Sequence, residues 1–191
     1  MYEFAFSLRL CPTDDTLPDH TSSEGDHVKD AWILLLIGGV LIAAVIGFLP
    51  GTQDEPRPAP GFSLVSLEGE TVHLSDYAGR VVILDFWASW CQPCTRTFPA
   101  LHELYEEFSD RGVDLLVVSL DRREEAARSY LTENGYPTGN VLWGSLAEAR
   151  AIKELFDVGG IPRTFLIDRE GIIRFSGYPL RLDAEMLEPW L

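Results

Sequence analysis

The sequence predicts an α/β domain of three layers built on a mixed sheet, preceded by one N-terminal transmembrane helix. Two observations predict the domain: apolar strand-like segments alternate with amphipathic helical segments after residue 61, and a β-hairpin pattern follows near the C-terminus. Such alternation favours parallel strands covered by helices on both faces, and a hairpin adds antiparallel strands. The transmembrane helix follows from an uncharged apolar run at residues 31–49.

Chain length and composition limit the possible function classes. The chain has 191 residues, of which 46% are hydrophobic, enough for one membrane segment and one domain with a buried core. Its net charge of -15 repels phosphates, so nucleic acid is not expected as a partner. Its lysines are Lys29 and Lys153, and an acidic surface poor in lysine is also typical of proteins from salt-rich environments, where ions screen self-repulsion.

The apolar run at residues 31–49 spans about 28 Å as a helix, at ~1.5 Å per residue, which is long enough to cross a bilayer. A cleaved signal peptide would begin nearer the N-terminus and end at small residues, whereas here a mostly polar segment precedes the run and Pro50 follows it. A buried core helix would keep a polar face. We therefore expect an uncleaved single-pass anchor in the cell membrane, with Lys29 holding the N-terminus inside and the domain on the extracytoplasmic side.

Two segments flank the predicted anchor. Residues 1–30 are acidic and poor in apolar side chains, so we expect them to be disordered. They contain Cys11, which lacks the preceding apolar run of a lipid-attachment site and is expected to be a free thiol. Residues 50–60 are rich in proline and predict an extended linker, which holds the domain at residues 61–191 just off the membrane.

The domain begins with strand patterns and a helix. Residues 62–74 (FSLVSLEGETVHL) predict two short alternating strands around a turn at Glu68-Gly69. Residues 81–87 (VVILDFW) are almost continuously apolar, as expected for a central strand buried on both faces. Across residues 93–109, apolar side chains recur at spacings of three and four and predict a helix.

The second half of the domain repeats this alternation. The pattern predicts a buried strand, two helices, a β-hairpin and a short C-terminal helix, at residues 113–121, 123–135, 145–156, 164–177 and 182–191 in that order. Strands that alternate with helices and end in a hairpin account for the mixed three-layer architecture.

Two cysteines separated by two residues lie where the predicted central strand gives way to the helix. Cys91 comes at the helix start, where unpaired backbone N–H groups and the helix dipole lower the pKa of a thiol, so Cys91 is the predicted nucleophile. Cys94, one turn later, can close a disulfide with Cys91 and resolve the mixed disulfide formed with a substrate. Gln92 and Pro93 lie between them and are expected to contact the substrate, and proline suits the first turn of a helix.

Asp85 is an acid in the middle of the apolar strand, six residues before Cys91. Burial would raise the pKa of its carboxyl towards the working pH, which is what a general base for the Cys94 proton needs. The alternative is a structural acid paired with a distant basic group.

A metal site is the competing explanation of the cysteine pair. A structural zinc site needs four ligands, whereas the chain has no second cysteine pair, and His73 and His102 follow no ligand spacing. We therefore expect no metal, and no cofactor other than a redox-active disulfide.

Two motifs resemble those of the thioredoxin superfamily. DFWASWCQPC at residues 85–94, with Pro99 after it, is similar to the active-site strand, loop and kinked first helix of that family. GGIPRTFLID contains Ile161-Pro162, which matches the family's cis peptide bond beside the active-site disulfide. The resemblance implies a thioredoxin-like fold in which Trp90 and Pro162 line a groove for an extended substrate, and the Ile161 backbone pairs with that substrate.

Within the superfamily, residues 60–91 resemble the TlpA/ResA group of membrane-anchored thiol-disulfide oxidoreductases. The resemblance implies a domain outside the membrane that reduces disulfides in apocytochrome c or other exported proteins, with electrons from a membrane-embedded thiol reductant. Many members have a glutamate three residues after the second cysteine, where this chain has Thr97, and an asparagine where it has Asp85. The glutamate belongs to the specialised members, so these departures leave the site closer to thioredoxin itself.

Two other function classes stay open. A peroxidase of the peroxiredoxin kind shares the fold, but it usually has a threonine three residues before its reactive cysteine, where this chain has Ala88. A metallochaperone or copper-binding module would use similar cysteines, but such relatives have a wider Cys-x-x-x-Cys spacing and a distant histidine, and here no histidine follows His102. Titration of the reduced domain with Cu(I) distinguishes the metal-binding class from an oxidoreductase.

Overall fold

The structure is a computed structural model, and it describes residues 56–191. The predicted acidic segment at residues 1–30 with its Cys11, the predicted transmembrane helix at residues 31–49 and the first part of the linker lie outside the described residues. Across residues 56–191, no helix is both long enough and apolar enough to cross a membrane.

The structure confirms the predicted strands and helices of the domain to within a few residues and adds two strands. The strands are β1 (Arg57–Pro58), β2 (Ser63–Ser66), β3 (Thr71–His73), β4 (Val81–Trp87), β5 (Val113–Ser119), β6 (Val141–Trp143), β7 (Arg163–Ile167) and β8 (Ile172–Gly177). The α-helices are α1 (Gln92–Phe108), α2 (Glu124–Asn134), α3 (Leu146–Leu155) and α4 (Ala184–Leu187). Short 3-10 turns lie at Leu74–Tyr77, Ser109–Arg111, Pro179–Arg181 and Glu188–Trp190.

The strands of the described residues form one sheet, in the order β1-β8-β7-β4-β5-β6-β2-β3. Strands β4, β5 and β6 run parallel to one another, whereas the other neighbours pair antiparallel, so the sheet is mixed as predicted. Strand β4 lies near the centre and is hydrogen-bonded to β5 on one side and to β7 on the other. At its carboxyl end, Phe86 pairs with Arg163 of β7 and Trp87 pairs with Ser119 of β5, just before the cysteine motif.

Residues of β4 alternate between the two faces of the sheet, and each face has its own hydrophobic core. Ile83 and Trp87 pack with residues of α1, α2 and α4 on one face. Leu84 and Phe86 pack with residues of α3 on the other face. Every residue of β4 is buried, as predicted for a strand covered on both sides. The helices on both faces confirm the three-layer architecture.

A short edge strand lies within the predicted linker, residues 50–60. Arg57–Pro58 form the edge strand β1, which pairs antiparallel with Ile172–Ile173, and the N–H of Ala59 donates to the carbonyl of Gly171. Proline is tolerated at a sheet edge because no neighbouring strand needs its missing N–H. The sheet therefore begins within the predicted linker.

Strand β6 was not predicted from the sequence. Its three residues are too few to show the period of two that identifies a strand. It pairs with β5 at Val117–Val118 and with β2 at Val65–Ser66, so its neighbours on both sides define it as a strand. Through β6, the N-terminal hairpin of β2 and β3 joins the main sheet.

Candidate active site

The two cysteines lie at the N-terminus of α1, just beyond the carboxyl end of β4. They form a disulfide, with 2.06 Å between the sulfur atoms and 5.2 Å between the Cα atoms. Cys91 is the N-cap of α1, and its Sγ accepts a hydrogen bond from the backbone N–H of Cys94 at 3.3 Å. Such donors favour a negatively charged sulfur, so the surroundings of reduced Cys91 suit a reactive thiolate.

The two cysteines differ in their access to solvent. Cys91 is 6% exposed, whereas Cys94 is fully buried at 0%. Gln92 and Pro93, which lie between them, are exposed, and Pro93 occupies the first turn of α1 as predicted. A molecule that approaches the site therefore meets Cys91 and these two residues before it can meet Cys94.

Asp85 lies in the middle of β4 and is 2% exposed. Strand alternation turns its side chain to the α1 face of the sheet, the face on which Cys94 is buried. Thr164 lies directly opposite on β7 and donates from Oγ1 to Oδ1 of Asp85 at 2.7 Å. Burial raises the pKa of the Asp85 carboxyl to about 7, against the lowering effect of the Thr164 hydrogen bond.

The sequence left open whether Asp85 is a general base or a structural acid paired with a distant basic group, and its environment bears on this choice. Within residues 56–191, no basic side chain forms an ion pair with Asp85. The carboxyl is perturbed by burial and by the Thr164 hydroxyl rather than by a neighbouring charge. The geometry therefore favours a group that can exchange a proton over one that is held ionised by a cation.

Thr97 stands where many members of the resembling group have a glutamate. It is buried, and its hydroxyl donates to the backbone carbonyls of Pro93 and Cys94, at 3.2 and 3.1 Å. A hydroxyl engaged with its own helix in this way is not a proton acceptor for a thiol. Among β4 and the first turns of α1, the buried acid is Asp85.

Ile161, one of the residues predicted to contact a substrate, lies beside Cys91. The Ile161-Pro162 peptide bond is cis, as the resemblance implied. The Ile161 carbonyl oxygen lies 3.9 Å from Sγ of Cys91, although 70 residues separate them in the chain. Pro162 is half-buried and lines a cleft together with Tyr178. Trp90, next to Cys91 in the chain, is 65% exposed.

Sequence reasoning missed the hydrogen-bonded anchor of the cysteine loop at Asp121, which is 2% exposed. Its carboxylate accepts hydrogen bonds from the backbone N–H and the hydroxyl of Ser89, at 3.0 and 2.7 Å, and from the hydroxyl of Ser119 at 3.0 Å. Ser89 lies between β4 and Cys91, so Asp121 ties the cysteine loop to the end of β5. An acid directly after a buried apolar strand is the sequence signal that could have revealed this contact.

The metal-binding alternatives depend on ligands besides the cysteine pair. Within residues 56–191, no cluster of three or more His, Cys, Asp and Glu side chains is placed to hold a metal ion. His73 lies on β3 and His102 on α1. Any ion at this site would therefore rely on the two cysteine sulfurs.

Comparison with known proteins identifies the family. The family model described as AhpC/TSA matches residues 56–176, which include both cysteines and the Ile161-Pro162 bond. The chain belongs to the AhpC/TSA family. This placement agrees with the thioredoxin-like fold that the sequence motifs implied.

Two curated proteins similar to this AhpC/TSA member are thiol-disulfide oxidoreductases. The thiol-disulfide oxidoreductase ResA of Bacillus subtilis is 33% identical over 118 residues, which cover 62% of this chain and 64% of that protein. ResA of Oceanobacillus iheyensis is 31% identical over 150 residues, which cover 74% of this chain and 75% of that protein. With a cysteine pair at disulfide distance, this family member is a thiol-disulfide oxidoreductase.

Solved structures share the fold of this AhpC/TSA member. The thioredoxin domain of a thiol-disulfide oxidoreductase from Bacteroides vulgatus superimposes with a TM-score of 0.61 at 29% identity, over 70% of this chain and 91% of that chain. A thiol:disulfide interchange protein from Bacteroides sp. superimposes with a TM-score of 0.59 at 30% identity, over 69% of this chain and 84% of that chain. The thioredoxin-like α/β class with a mixed sheet is therefore confirmed.

Proposed function

We propose that this oxidoreductase is anchored in the cell membrane by residues 31–49 and reduces disulfides in exported proteins, apocytochrome c among them, on the extracytoplasmic side. The uncharged apolar run and Lys29 on its N-terminal side support the topology. The resemblance to the TlpA/ResA group supports the substrate class. A membrane-embedded thiol reductant would return electrons to the cysteine pair after each turnover.

In the proposed reaction, the Cys91 thiolate attacks one sulfur of the substrate disulfide. The substrate S–S bond breaks, a mixed disulfide forms between Cys91 and the substrate, and the other substrate sulfur leaves as a thiolate that takes up a proton. The Cys94 thiolate then attacks Sγ of Cys91 and releases the remaining substrate sulfur. Two electrons pass to the substrate, and the protein is left with the Cys91–Cys94 disulfide that the structure contains.

The placement of Asp85 is the observation that carries this mechanism. Cys94 is fully buried, so bulk water cannot take its proton directly. A buried carboxyl with a pKa of about 7, on the same face of the sheet, can accept that proton near neutral pH. Asp85 would then pass the proton on to the departing substrate thiolate.

The residues around Cys91 suit an extended substrate segment. Such a segment would lie between Trp90 and Pro162 and pair with the Ile161 backbone in the manner of an added strand. The two exposed residues between the cysteines would contact it beside the attacked sulfur. Trp90, at 65% exposure, offers a large apolar surface for that contact.

The Cys94→Ala variant tests the order of attack. Because the resolving thiol is absent, the mixed disulfide between Cys91 and the substrate should persist. We expect disulfide-linked adducts with oxidised exported proteins on non-reducing gels, and their loss after reduction. The Cys91→Ala variant is the matched control and should form none. If Cys94→Ala forms no adduct either, the proposed mechanism is wrong.

The reduction potential of the cysteine pair tests the direction of electron flow. Fluorescence of the neighbouring Trp90, measured against a dithiothreitol couple, reports the oxidised fraction. A potential near or below about -250 mV, on the thioredoxin side of the scale, is expected for a reductase. A potential near about -120 mV, typical of strong oxidants, would mean that the protein introduces disulfides instead.

A further inference from the structure

A groove of about 700 Å³ opens beside the cysteine loop. Its walls are formed by Ser89, Trp90, the segment 120–123 after β5, Ala126 of α2 and Leu146 at the start of α3. The groove starts at the residue next to Cys91. Because Asp121 holds Ser89 through two hydrogen bonds, the two walls are tied together and the groove is preformed.

Two large apolar side chains of this groove are exposed. Trp90 is 65% exposed and Leu146 is 51% exposed. Tryptophan in an exposed position is enriched where proteins bind partners, because its broad ring loses little conformational entropy on contact. An apolar side chain of a bound polypeptide could pack against both residues.

Two exposed arginines line the same groove. Arg122 and Arg123 are exposed, and within residues 56–191 neither forms an ion pair. Of the nearby acids, Asp121 is buried and held by serine groups, Glu124 pairs with Arg128, and Glu125 is exposed but does not line the groove. In a chain with a net charge of -15, these two arginines share a groove with Trp90, which precedes the reactive cysteine.

We propose that this groove binds an acidic stretch of the substrate polypeptide, a few residues from the cysteine that Cys91 attacks. The proposal rests on the proposed reductase function and adds a substrate class to it. Arg122 and Arg123 pair with carboxylates of the substrate, because guanidinium groups match carboxylates in charge and geometry. An apolar substrate side chain packs against Trp90 and Leu146. A small anionic disulfide would satisfy the arginines but leave this apolar surface uncovered.

Two peptides test the proposal with the full-length protein in an uncharged detergent. Each peptide carries one cysteine linked to 2-thiopyridine, and they differ only in having Asp and Glu, or Asn and Gln, around that cysteine. Attack by reduced Cys91 on the peptide sulfur releases 2-thiopyridone, which absorbs light and reports the second-order rate constant. The variants are Arg122→Gln/Arg123→Gln and, as matched control, Arg169→Gln, an exposed arginine at the hairpin end of the sheet.

We expect wild type to react with the acidic peptide about five to ten times faster than with the neutral peptide at low salt. The ratio should fall towards one as salt rises to about 0.5 M. The double variant should lose this preference, whereas Arg169→Gln should keep it. Equal rates for wild type at low salt, or an unchanged preference in the double variant, would overturn the groove proposal.

Two further outcomes distinguish failure of the groove proposal from failure of the proposed reductase function. If glutathione linked to 2-thiopyridine reacts faster than the acidic peptide at equal concentration, and this preference also depends on Arg122 and Arg123, the groove serves a small anion and the polypeptide proposal is wrong. If reduced wild type reacts with neither peptide, the reductase function itself is overturned, whatever the charge of the groove.

Discussion

Two buried carboxyls, Asp85 in the active-site half of the sheet and Asp168 at its hairpin end, differ in their hydrogen-bond partners. Asp85 is 2% exposed and accepts one hydrogen bond from the Thr164 side chain, and burial raises its pKa to about 7. Asp168 is 1% exposed and accepts hydrogen bonds from the N–H of Glu170, the N–H of Ile172 and Nε of Arg174.

The partners of Asp168 reverse the effect of burial. Burial by itself raises the pKa of Asp168, but the hydrogen bonds from the Ile172 N–H, Arg174 and the Glu170 N–H outweigh it and hold that pKa below its ordinary value. Two carboxyls of similar solvent exposure thus have opposite pKa shifts. The number and charge of the donors decide whether a buried acid exchanges protons near neutral pH or stays a structural anion.

The largest effect should come from replacing Asp85, the acid proposed to exchange a proton with Cys94. The folded-state pKa of Asp85 lies above its unfolded value, so the protonated carboxyl makes its full contribution to the free energy of unfolding below about pH 4. That contribution is lost as the pH rises through about 7. Asp85→Asn should therefore raise the free energy of unfolding at pH 8 by on the order of 3 kcal/mol, with little change at pH 4. Urea unfolding at both pH values measures this. Equal effects at both would contradict the raised pKa.

The same variant should slow the second chemical step. Without a carboxylate to take the Cys94 proton, Asp85→Asn should release the substrate from the mixed disulfide about 100-fold more slowly at pH 7. The first attack by Cys91, at the surface, should change far less. Quenched single-turnover mixing with a disulfide peptide separates the two steps. Equal slowing of both steps would assign Asp85 a purely structural role.

Replacing Asp168 at the hairpin should change the free energy of unfolding by a smaller amount, with the opposite pH dependence. Asp168→Asn leaves Arg174 without its carboxylate and should cost about 2 kcal/mol at pH 7. Because the folded-state pKa of Asp168 is depressed, its contribution is present above its unfolded pKa and is lost as pH falls through the lower folded value. The cost should therefore shrink towards pH 3 in urea unfolding. The exposed Asp110→Asn variant is the control and should change stability by less than about 0.5 kcal/mol.

The smallest effect is expected from removing the Thr164 hydroxyl, which donates a hydrogen bond to Asp85. Thr164→Val removes the hydrogen bond that lowers the Asp85 pKa, so that pKa should rise further. The pH midpoint of mixed-disulfide resolution should move upward by about half a unit. Thr97→Val is the matched control, since its hydroxyl bonds only to helix carbonyls, and it should leave the midpoint in place. If Thr97→Val shifted the pH midpoint of resolution instead, side-chain packing around the cysteines, and not the hydrogen bond to Asp85, would set that midpoint.

Local sequence was sufficient to predict the cysteine pair and its place between a strand and a helix. The spacing of Cys91 and Cys94, an apolar strand before them and a helix after them are all properties of adjacent residues, so periodicity and residue type reveal them. Asp85 was identified in the same way, as an acid inside a strand whose neighbours are apolar. The alternation of strands and helices was likewise enough to predict the three layers and the mixed sheet.

Only the tertiary structure decided which distant residues complete the site. Thr164 reaches Asp85 across 79 positions of the chain, and the Ser89 hydroxyl reaches Asp121 across 32. Strand β6 similarly is defined by its partners rather than by its own three residues. Periodicity shows which face of an element is buried, but the residue that lies opposite depends on strand order and register. Those follow from packing the whole sheet, because pairing one strand with another constrains every other neighbour in it.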